Sequence, residues 1–374
     1  MSSVTKGGVE LFPAARPNLA RVRNYQPGKP LEELEREYGI KNAVKMASNE
    51  NALGPSPKAV AAVKRDLAKL HRYPDGGCYY LRHKVAAHLK VRPETLVFGN
   101  GSDEILVMAV RAFASKGDQI VISDPTFLIY EIAASVEDVA VVRVAMKNFR
   151  YDLEGMAKKV SPRTKLVFIA NPDNPVGTYT PLKEVERFLA AVPARVLVVL
   201  DEAYQEFAAA EKKDYPDSIR LLKRYPNLIV TRTFSKAYGL AGLRVGYGVA
   251  SVPVINALNK VREPFNVNLL AQSAAVAALD DKAHLSKTLK VVRQGRAYLK
   301  REFGRLGLEP VDTVTNFMLV DLRTDAQAVY EKLLRQGVIV RSMAGWGLKT
   351  FIRVTIGKPA ENKRFIRALK KIIT

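Results

Sequence analysis

In the stretches LVFIANPDNPVG (166–177) and VLVVLDEAY (196–204), a continuous apolar run is followed at once by polar residues. Apolar runs without alternation are typical of strands buried on both faces, as in a parallel sheet covered by crossover helices. Further candidate strands lie at 95–98, 119–123 and 227–231, and helix-length segments separate several of them. The sequence therefore predicts an α/β fold with a mostly parallel central sheet flanked by helices.

The segment before this predicted sheet has two parts. Residues 1–30 are rich in Pro and Gly, which predicts an irregular arm. Ser56 and Pro57 are typical of a helix start. Apolar residues then follow at spacings of three and four, which predicts an amphipathic helix over 57–70. These residues are Val60, Val63, Leu67 and Leu70.

The pattern changes again after about residue 285, where it predicts a smaller α+β unit. Its expected elements are helices over 285–306 and 326–336, strands within 316–322, 338–341 and 351–356, and a final helix. We therefore expect three regions. Residues 1–50 form an N-terminal arm and part of the small domain, residues 51–284 the large domain with the central sheet, and residues 285–374 the C-terminal small domain.

Composition excludes several classes of protein. Of the 374 residues 48% are hydrophobic, which is too many for a mainly disordered chain. No apolar run approaches the ~20 residues that cross a bilayer, and the N-terminus lacks a secretory signal. A single cysteine, Cys78, allows no internal disulfide, and the four histidines form no metal set. We therefore expect a cytoplasmic protein with no membrane partner and no metal.

The formal charge of +22 raises the question of a polyanionic partner. The basic residues are scattered, however, and no polybasic tail, zinc-finger spacing or basic groove-binding helix is present. A basic nucleic-acid-binding protein is therefore a remote alternative, and we expect the partners to be small anions.

Polar groups suited to a phosphorylated, electron-withdrawing cofactor follow several predicted strands, at the end of the sheet where ligands bind. Burial would penalise the carboxylate of Asp201 unless it pairs with a donor or cation, such as a protonated pyridine nitrogen. Tyr204 could reach an oxygen of the same ring. The alternative for Asp201 is an ordinary helix cap.

A lysine and several anion-binding groups follow the next predicted strand. In a sheltered site the pKa of Lys236 would fall, and its amine could form a Schiff base with an aldehyde. The hydroxyls of Thr233 and Ser235 and the guanidinium of Arg244 would bind a phosphate. Ser102, at a glycine-rich helix start, would face the same anion. Taken singly, the lysine is ordinary surface charge and the glycine-rich segment an ordinary turn, so the inference depends on the set.

The combined motifs resemble those of fold-type I pyridoxal-phosphate aminotransferases: NPDNPVG at 171–177, DEAY at 201–204 and TFSKAYGLAGLRVGY at 233–247. The intervals agree with that family, with 27 residues from Asn174 to Asp201 and 35 more to Lys236. Within it the chain is similar to histidinol-phosphate aminotransferases over nearly its whole length. That similarity lies in YQPGKP (25–30), SNENALGPSP (48–57), HRYPDG (71–76), VRSMAGWG (340–347) and FIRVTIG (351–357).

The resemblance implies pyridoxal 5'-phosphate as cofactor and gives each matching residue a role. Lys236 would bind the cofactor as an internal aldimine and later move a proton between Cα and C4′. Asp201 would pair with the pyridine nitrogen, Tyr204 and Asn174 would hydrogen-bond the ring's 3-oxygen, and Phe127 would stack on the ring. The groups expected to hold the phosphate are the Ser102 and Asp103 backbone, Thr233, Ser235, Arg244 and, from the partner subunit, Tyr73.

The resemblance also implies substrate-binding residues. Arg353, with Arg341 and Tyr25, would bind both a carboxylate and a phosphate, because a planar guanidinium suits either anion. Phe265 would line the substrate pocket. Three departures from the family pattern concern substrate preference: Val176 where Thr is usual, Asp173 where Asn is commoner, and Ser342 with residues 349–350 where proline is frequent.

The implied activity is that of an aminotransferase of the EC 2.6.1.9 class in histidine biosynthesis. It interconverts histidinol phosphate and 2-oxoglutarate with imidazole-acetol phosphate and glutamate by a ping-pong mechanism. Because Tyr73 is expected to act across a subunit boundary, a homodimer with shared active sites is implied. An aromatic amino acid aminotransferase and a threonine-phosphate decarboxylase remain alternatives on the same scaffold.

Overall fold

The structure is a computed structural model, and it describes residues 14–373. The predicted arm over 1–30 lies partly outside the described residues; its described part contains a 3-10 turn at Pro17–Arg21. The strands are β1 (Val44–Lys45), β2 (Leu96–Gly99), β3 (Gln119–Asp124), β4 (Ala140–Ala145), β5 (Thr164–Ala170), β6 (Leu197–Asp201), β7 (Leu228–Thr233), β8 (Gly246–Val249), β9 (Phe317–Asp321), β10 (Val338–Ile339), β11 (Arg341–Ser342) and β12 (Phe351–Thr355).

Fourteen α-helices lie among the described residues. They are α1 (Leu31–Tyr38), α2 (Pro57–Asp66), α3 (Tyr79–Leu89), α4 (Ser102–Phe113), α5 (Ile129–Val136), α6 (Leu153–Lys158), α7 (Leu182–Ala191), α8 (Gln205–Ala209), α9 (Ser218–Leu221), α10 (Val252–Val261), α11 (Leu269–Leu279), α12 (Lys282–Arg305), α13 (Ala326–Arg335) and α14 (Pro359–Ile373).

The large sheet has seven strands in the order β2-β8-β7-β6-β5-β3-β4. Strand β8 is antiparallel to β2 and β7, and the other neighbouring pairs are parallel. Along β5, Phe168 packs with the core beneath α4, α5 and α10, whereas Val167 packs with the core beneath α6 and α7. Both faces exclude water, which explains the continuous apolar runs. The predicted fold class is confirmed.

Two strands of this sheet were not among the predicted ones. Strand β4 lies at the sheet edge and is mostly exposed or half-buried, so it lacks a continuous buried run. Strand β8 is the short sequence GYGV, whose glycines disfavour a strand locally. A Cβ on Gly246 would lie 2.4 Å from the Ser102 nitrogen, so the close approach of the α4 N-terminus requires glycine there.

The predicted amphipathic helix over 57–70 is wrong in its extent and in its buried face. Helix α2 ends at Asp66, and a 3-10 turn follows at Leu67–Lys69. Three of the four spaced apolar side chains are exposed, whereas Ala59, Ala62 and Asp66 are buried. The small side chains allow α2 to approach the alanine-rich α11, where Ser273 donates a 2.6 Å hydrogen bond to the Asp66 carboxylate. The three exposed apolar side chains of the predicted helix are Val60, Leu67 and Leu70.

The C-terminal region forms a second, smaller layer. Strands β11, β12 and β9 make a three-stranded antiparallel sheet, and α12, α13 and α14 pack with it around a separate core. Strand β1 pairs with β10, so the N-terminal segment contacts this unit. The domain boundaries at 50/51 and 284/285 stay a prediction. Within residues 14–373, no helix has the length and apolarity needed to cross a membrane.

Candidate active site

A cavity of about 160 Å³ lies where β5, β6 and β7 end, and residues from the small sheet form part of its wall. Predicted site residues from widely separated segments line it together. They are Tyr25, Ser102, Asp103, Phe127, Asn174, Asp201, Tyr204, Thr233, Ser235, Lys236, Arg244, Arg341 and Arg353. Phe127 is half-buried and meets the ring of Tyr130 edge-to-face at 5.7 Å.

Lys236 lies three residues after β7, and its amine points into the cavity. Its Nζ donates a 3.2 Å hydrogen bond to the Ser48 carbonyl and lies 5.8 Å from the centre of the Tyr204 ring. Burial, with the nearby charge of Arg353, lowers the pKa of Lys236 to about 8. Roughly a tenth of the amine is therefore unprotonated at pH 7, far more than for an ordinary lysine, and a nucleophile or base must be unprotonated.

Asp201 ends β6 as a buried carboxylate. Tyr130 donates a 2.9 Å hydrogen bond to Oδ2 and Thr231 a 3.1 Å bond to Oδ1. Among the described residues no lysine or arginine forms an ion pair with it. Burial therefore raises the pKa of Asp201 to about 6. An acceptor of this kind fits a protonated ring nitrogen, whose positive charge would offset the burial.

The residues predicted to bind a phosphate lie at one end of the cavity. Arg244 contacts Ser235 Oγ at 3.4 Å and the Asp103 carboxylate at 3.2 Å, and Thr233 donates a 3.0 Å hydrogen bond to Ser235 Oγ. Ser102 is the first residue of the twelve-residue helix α4, whose N-terminal amides favour an anion. Hydroxyls, amides and a guanidinium thus converge, as a phosphate requires.

Two further arginines, Arg341 and Arg353, line the cavity. Arg353 on β12 donates to the Asn174 side-chain oxygen and, at 2.9 Å, to the Ala47 carbonyl, while its Nε is buried without a hydrogen-bond partner in the described structure. Arg341 lies over the Trp346 ring at 5.3 Å. An unsatisfied guanidinium nitrogen fits an anionic ligand group, because a buried donor without a partner is costly.

Two predicted residues do not line this cavity. Tyr73 and Phe265 stack on each other with ring centroids 4.8 Å apart. Their side chains are exposed, Tyr73 by 83% and Phe265 by 46%. One chain alone therefore does not bring them to the site, and their roles stay predictions.

The sequence reasoning gave no role to three residues that contact the predicted ones. Asn49 donates a 2.9 Å hydrogen bond to the Tyr204 hydroxyl, and Tyr130 and Thr231 bond Asp201. Each of the three lies in or near a stretch that the sequence had already singled out. Asn49 is in the SNEN motif, Tyr130 follows Phe127 by three residues, and Thr231 lies near the end of β7. Within residues 14–373 no group of three His, Cys, Asp or Glu side chains could hold a metal ion.

Comparisons with known proteins identify the family and the fold. Residues 41–369 match the family model for aminotransferase class I and II. The chain is 50% identical to a histidinol-phosphate aminotransferase of Moorella thermoacetica over 98% of its own length and 94% of the relative's. A Pseudomonas aeruginosa histidinol-phosphate aminotransferase is 48% identical over 96% and 97%. Among solved structures, the Sinorhizobium meliloti histidinol-phosphate aminotransferase in complex with pyridoxal-5'-phosphate has a TM-score of 0.89 and 32% identity, covering 97% of this chain and 98% of that one.

Proposed function

The chain belongs to the class I and II aminotransferase family, and on this premise we propose that it interconverts histidinol phosphate and 2-oxoglutarate with imidazole-acetol phosphate and glutamate. This is the EC 2.6.1.9 reaction, a step of histidine biosynthesis. The observation that carries the proposal is the meeting of the Lys236 amine, the Asp201 carboxylate and the Arg353 guanidinium around one cavity. Both half-reactions use this cavity, so the kinetics are ping-pong.

The cofactor is pyridoxal 5'-phosphate, and when bound it withdraws electrons from the substrate Cα. The residues present fit it. Asp201 would hold the ring nitrogen in its protonated state, and Tyr204 and Asn174 would donate to the 3-oxygen. Phe127 would stack on the ring. The phosphate would lie among the side chains and amides of Ser102, Asp103, Thr233, Ser235 and Arg244.

Lys236 carries the proton transfers in this proposal. Its lowered pKa, about 8, leaves part of the amine neutral and able to take the proton from the substrate Cα. The carbonyl of Ser48, 3.2 Å from Nζ, holds the amine at the cavity wall. Aromatic side chains, among them Phe127, Tyr204 and Trp346, form part of the cavity wall around the amine.

The two arginines would bind the anionic groups of both substrates. Histidinol phosphate carries a phosphate and no carboxylate, whereas glutamate carries two carboxylates and no phosphate. The same cavity must therefore accept either kind of anion. Arg353 is buried and its Nε has no partner in the described structure, whereas Arg341 is half-buried, donates to the Gln26 carbonyl and lies over the Trp346 ring. Tyr25, 47% exposed at the mouth, would close over the substrate.

A homodimer with shared sites is part of the proposal. It is supported by the exposed aromatic side chains near residue 73, because exposed apolar patches mark interaction sites. Mixing Lys236→Ala and Tyr73→Ala chains would test it, since a mixed dimer contains one site with neither substitution. Restored turnover is expected, and its absence from a proven mixed dimer would refute a shared site. The exposed aromatic side chains that support a dimer are Tyr73, Tyr79, Tyr80 and Phe265.

The proposal also places the protein in the cytoplasm without a nucleic-acid partner. Cell fractionation and the salt dependence of duplex binding would test these points. A steep loss of duplex affinity with added salt, starting from tight binding, would contradict the second.

A substrate panel tests the main proposal. Histidinol phosphate, phenylalanine and tyrosine are each added to the holoenzyme, and the loss of its visible absorption band is followed without an acceptor. Histidinol phosphate should react with the largest second-order rate constant for this half-reaction. Faster reaction of the aromatic amino acids would identify an aromatic aminotransferase, and carbon dioxide release from threonine phosphate a decarboxylase. A purified protein without a visible band after cofactor addition would contradict the cofactor assignment.

A further inference from the structure

Residues 47–49, a short segment between β1 and α2, contact three groups of the cavity through successive residues. The Ala47 carbonyl accepts a 2.9 Å hydrogen bond from Arg353, and the Ser48 carbonyl accepts one of 3.2 Å from Lys236. Asn49 follows, and its Nδ2 donates a 2.9 Å hydrogen bond to the hydroxyl of Tyr204. The third contact is therefore made by a side chain, which substitution can remove alone.

The Asn49 amide is fixed from several directions. Its backbone N–H donates to Thr355 Oγ1 at 2.9 Å, and that hydroxyl donates to Asn49 Oδ1 at 3.2 Å. Asn316 Nδ2 donates to the Asn49 carbonyl at 2.9 Å. Asn49 has a φ of +56°, a left-handed conformation that asparagine tolerates better than most residues, and it is 1% exposed. With Oδ1 satisfied by Thr355, the amide presents Nδ2 to Tyr204.

We propose that Asn49 is a positioning residue that directs the phenol proton of Tyr204 toward the 3-oxygen of the cofactor. The phenol has one proton to donate and can also accept a hydrogen bond. Because Asn49 donates to the phenol oxygen, the phenol proton is not used on Asn49 and stays available. A donor on the phenol oxygen also polarises its O–H bond and strengthens the bond that it donates. The proposal rests on the proposed function, which supplies the 3-oxygen.

The other groups facing Tyr204 are compatible with a neutral, donating phenol. Burial raises the pKa of Tyr204 well above its ordinary value, and Asp201 and Tyr25 act in the same direction, whereas Arg353 opposes them. Lys236 lies over the ring face at 5.8 Å, so its charge is not aligned with the hydroxyl. The phenol therefore keeps its proton over the working pH range.

The test is the pH midpoint of the holoenzyme's visible absorption change. A hydrogen bond donated to the 3-oxygen stabilises its ionised form and keeps this midpoint low. Asn49→Gly removes the donor and tolerates the left-handed backbone, and it should raise the midpoint by roughly a few tenths of a pH unit, a fraction of what one direct hydrogen bond contributes, because the effect passes through the phenol. Asn49→Asp is isosteric, but its carboxylate would accept the phenol proton and should raise the midpoint further.

Thr355 provides a matched pair of variants for the same effect. Thr355→Val removes the hydroxyl that orients the amide and should raise the midpoint in the same direction, whereas Thr355→Ser should leave it unchanged. These variants keep Asn49 itself, so they remain informative if an Asn49 variant folds poorly.

The inference requires that the effect pass through the phenol. In a Tyr204→Phe background, Asn49→Gly should therefore cause no further shift. An unchanged midpoint in Asn49→Gly with cofactor bound, or an equal shift in the Tyr204→Phe background, would overturn the inference. A parent protein without a pH-dependent visible band would instead count against the proposed function, so the two failures are distinguishable.

Discussion

Replacing Asp173 by asparagine should stabilise the cofactor-free protein at pH 8, and this gain should disappear as the pH falls. The carboxyl is fully buried beside the cavity. Its Oδ1 accepts a 3.0 Å hydrogen bond from the Val176 amide, and its Oδ2 accepts bonds from the hydroxyls of Thr126 at 2.9 Å and Tyr151 at 3.0 Å. None of the described basic residues pairs with it, and burial raises the pKa of Asp173 to about 7 from the ordinary 3.8.

The sign follows from the protons bound in each state. The unfolded chain releases the Asp173 proton near pH 4, whereas the folded protein releases it near pH 7. Stability therefore falls as the pH rises between these values. The difference of about 3 pKa units corresponds to at most about 4 kcal/mol at 1.36 kcal/mol per unit. Asparagine does not titrate, and the two hydroxyls can rotate to accept from its amide, so we expect a gain of about 2–4 kcal/mol at pH 8.

Urea unfolding of both proteins without cofactor, at equal concentration between pH 4.5 and pH 8, measures this difference. Asp152→Asn is the matched control, because the Lys147 side chain lowers the pKa of Asp152. That substitution should destabilise the protein by a nearly constant amount over this range, because a carboxylate with a lowered pKa loses its stabilising effect only as the pH falls below its ordinary value of 3.8. A difference between the Asp173→Asn protein and the parent that stays constant across the range would refute a carboxyl titrating near neutrality.

Three further substitutions have defined outcomes. Gly246→Ala puts a Cβ 2.4 Å from the first amide of α4 and should weaken cofactor affinity at least tenfold by equilibrium dialysis, whereas Gly242→Ala meets no atom within 4 Å and should not. Arg232→Leu leaves a buried glutamate unpaired and should cost about 3–5 kcal/mol in urea unfolding, against less than about 1 kcal/mol for the exposed Arg220→Leu. Lys236→Ala should lower kcat by at least 10⁴-fold and prevent borohydride from fixing the cofactor to the protein; retained turnover would refute its role.

The fold class was predictable because it depends on local patterns. The runs before Asn171 and Asp201 are apolar without alternation, which is typical of a strand covered on both faces. Strand β8 was not predicted because glycine is disfavoured in strands. Glycine is required at Gly246 by the close contact with the α4 N-terminus, which the local sequence does not show. The buried face of α2 was predicted wrongly for a similar reason. Helix α2 packs closely against the alanines of α11, so its small side chains are buried and most of its larger, regularly spaced apolar side chains are not.

Local patterns and motifs in the sequence were enough to predict the parallel sheet and many, but not all, of the residues that line the cavity. Tertiary structure decided which of them touch. Asn49 meets Tyr204 across 155 residues and Arg353 meets Asn174 across 179, and neither spacing has a local signature. Tertiary burial likewise sets the charge of Asp173, because the same carboxyl on the surface would ionise normally. Periodicity reports burial along one element, whereas hydrogen bonds between elements depend on how the strands and loops are arranged in space.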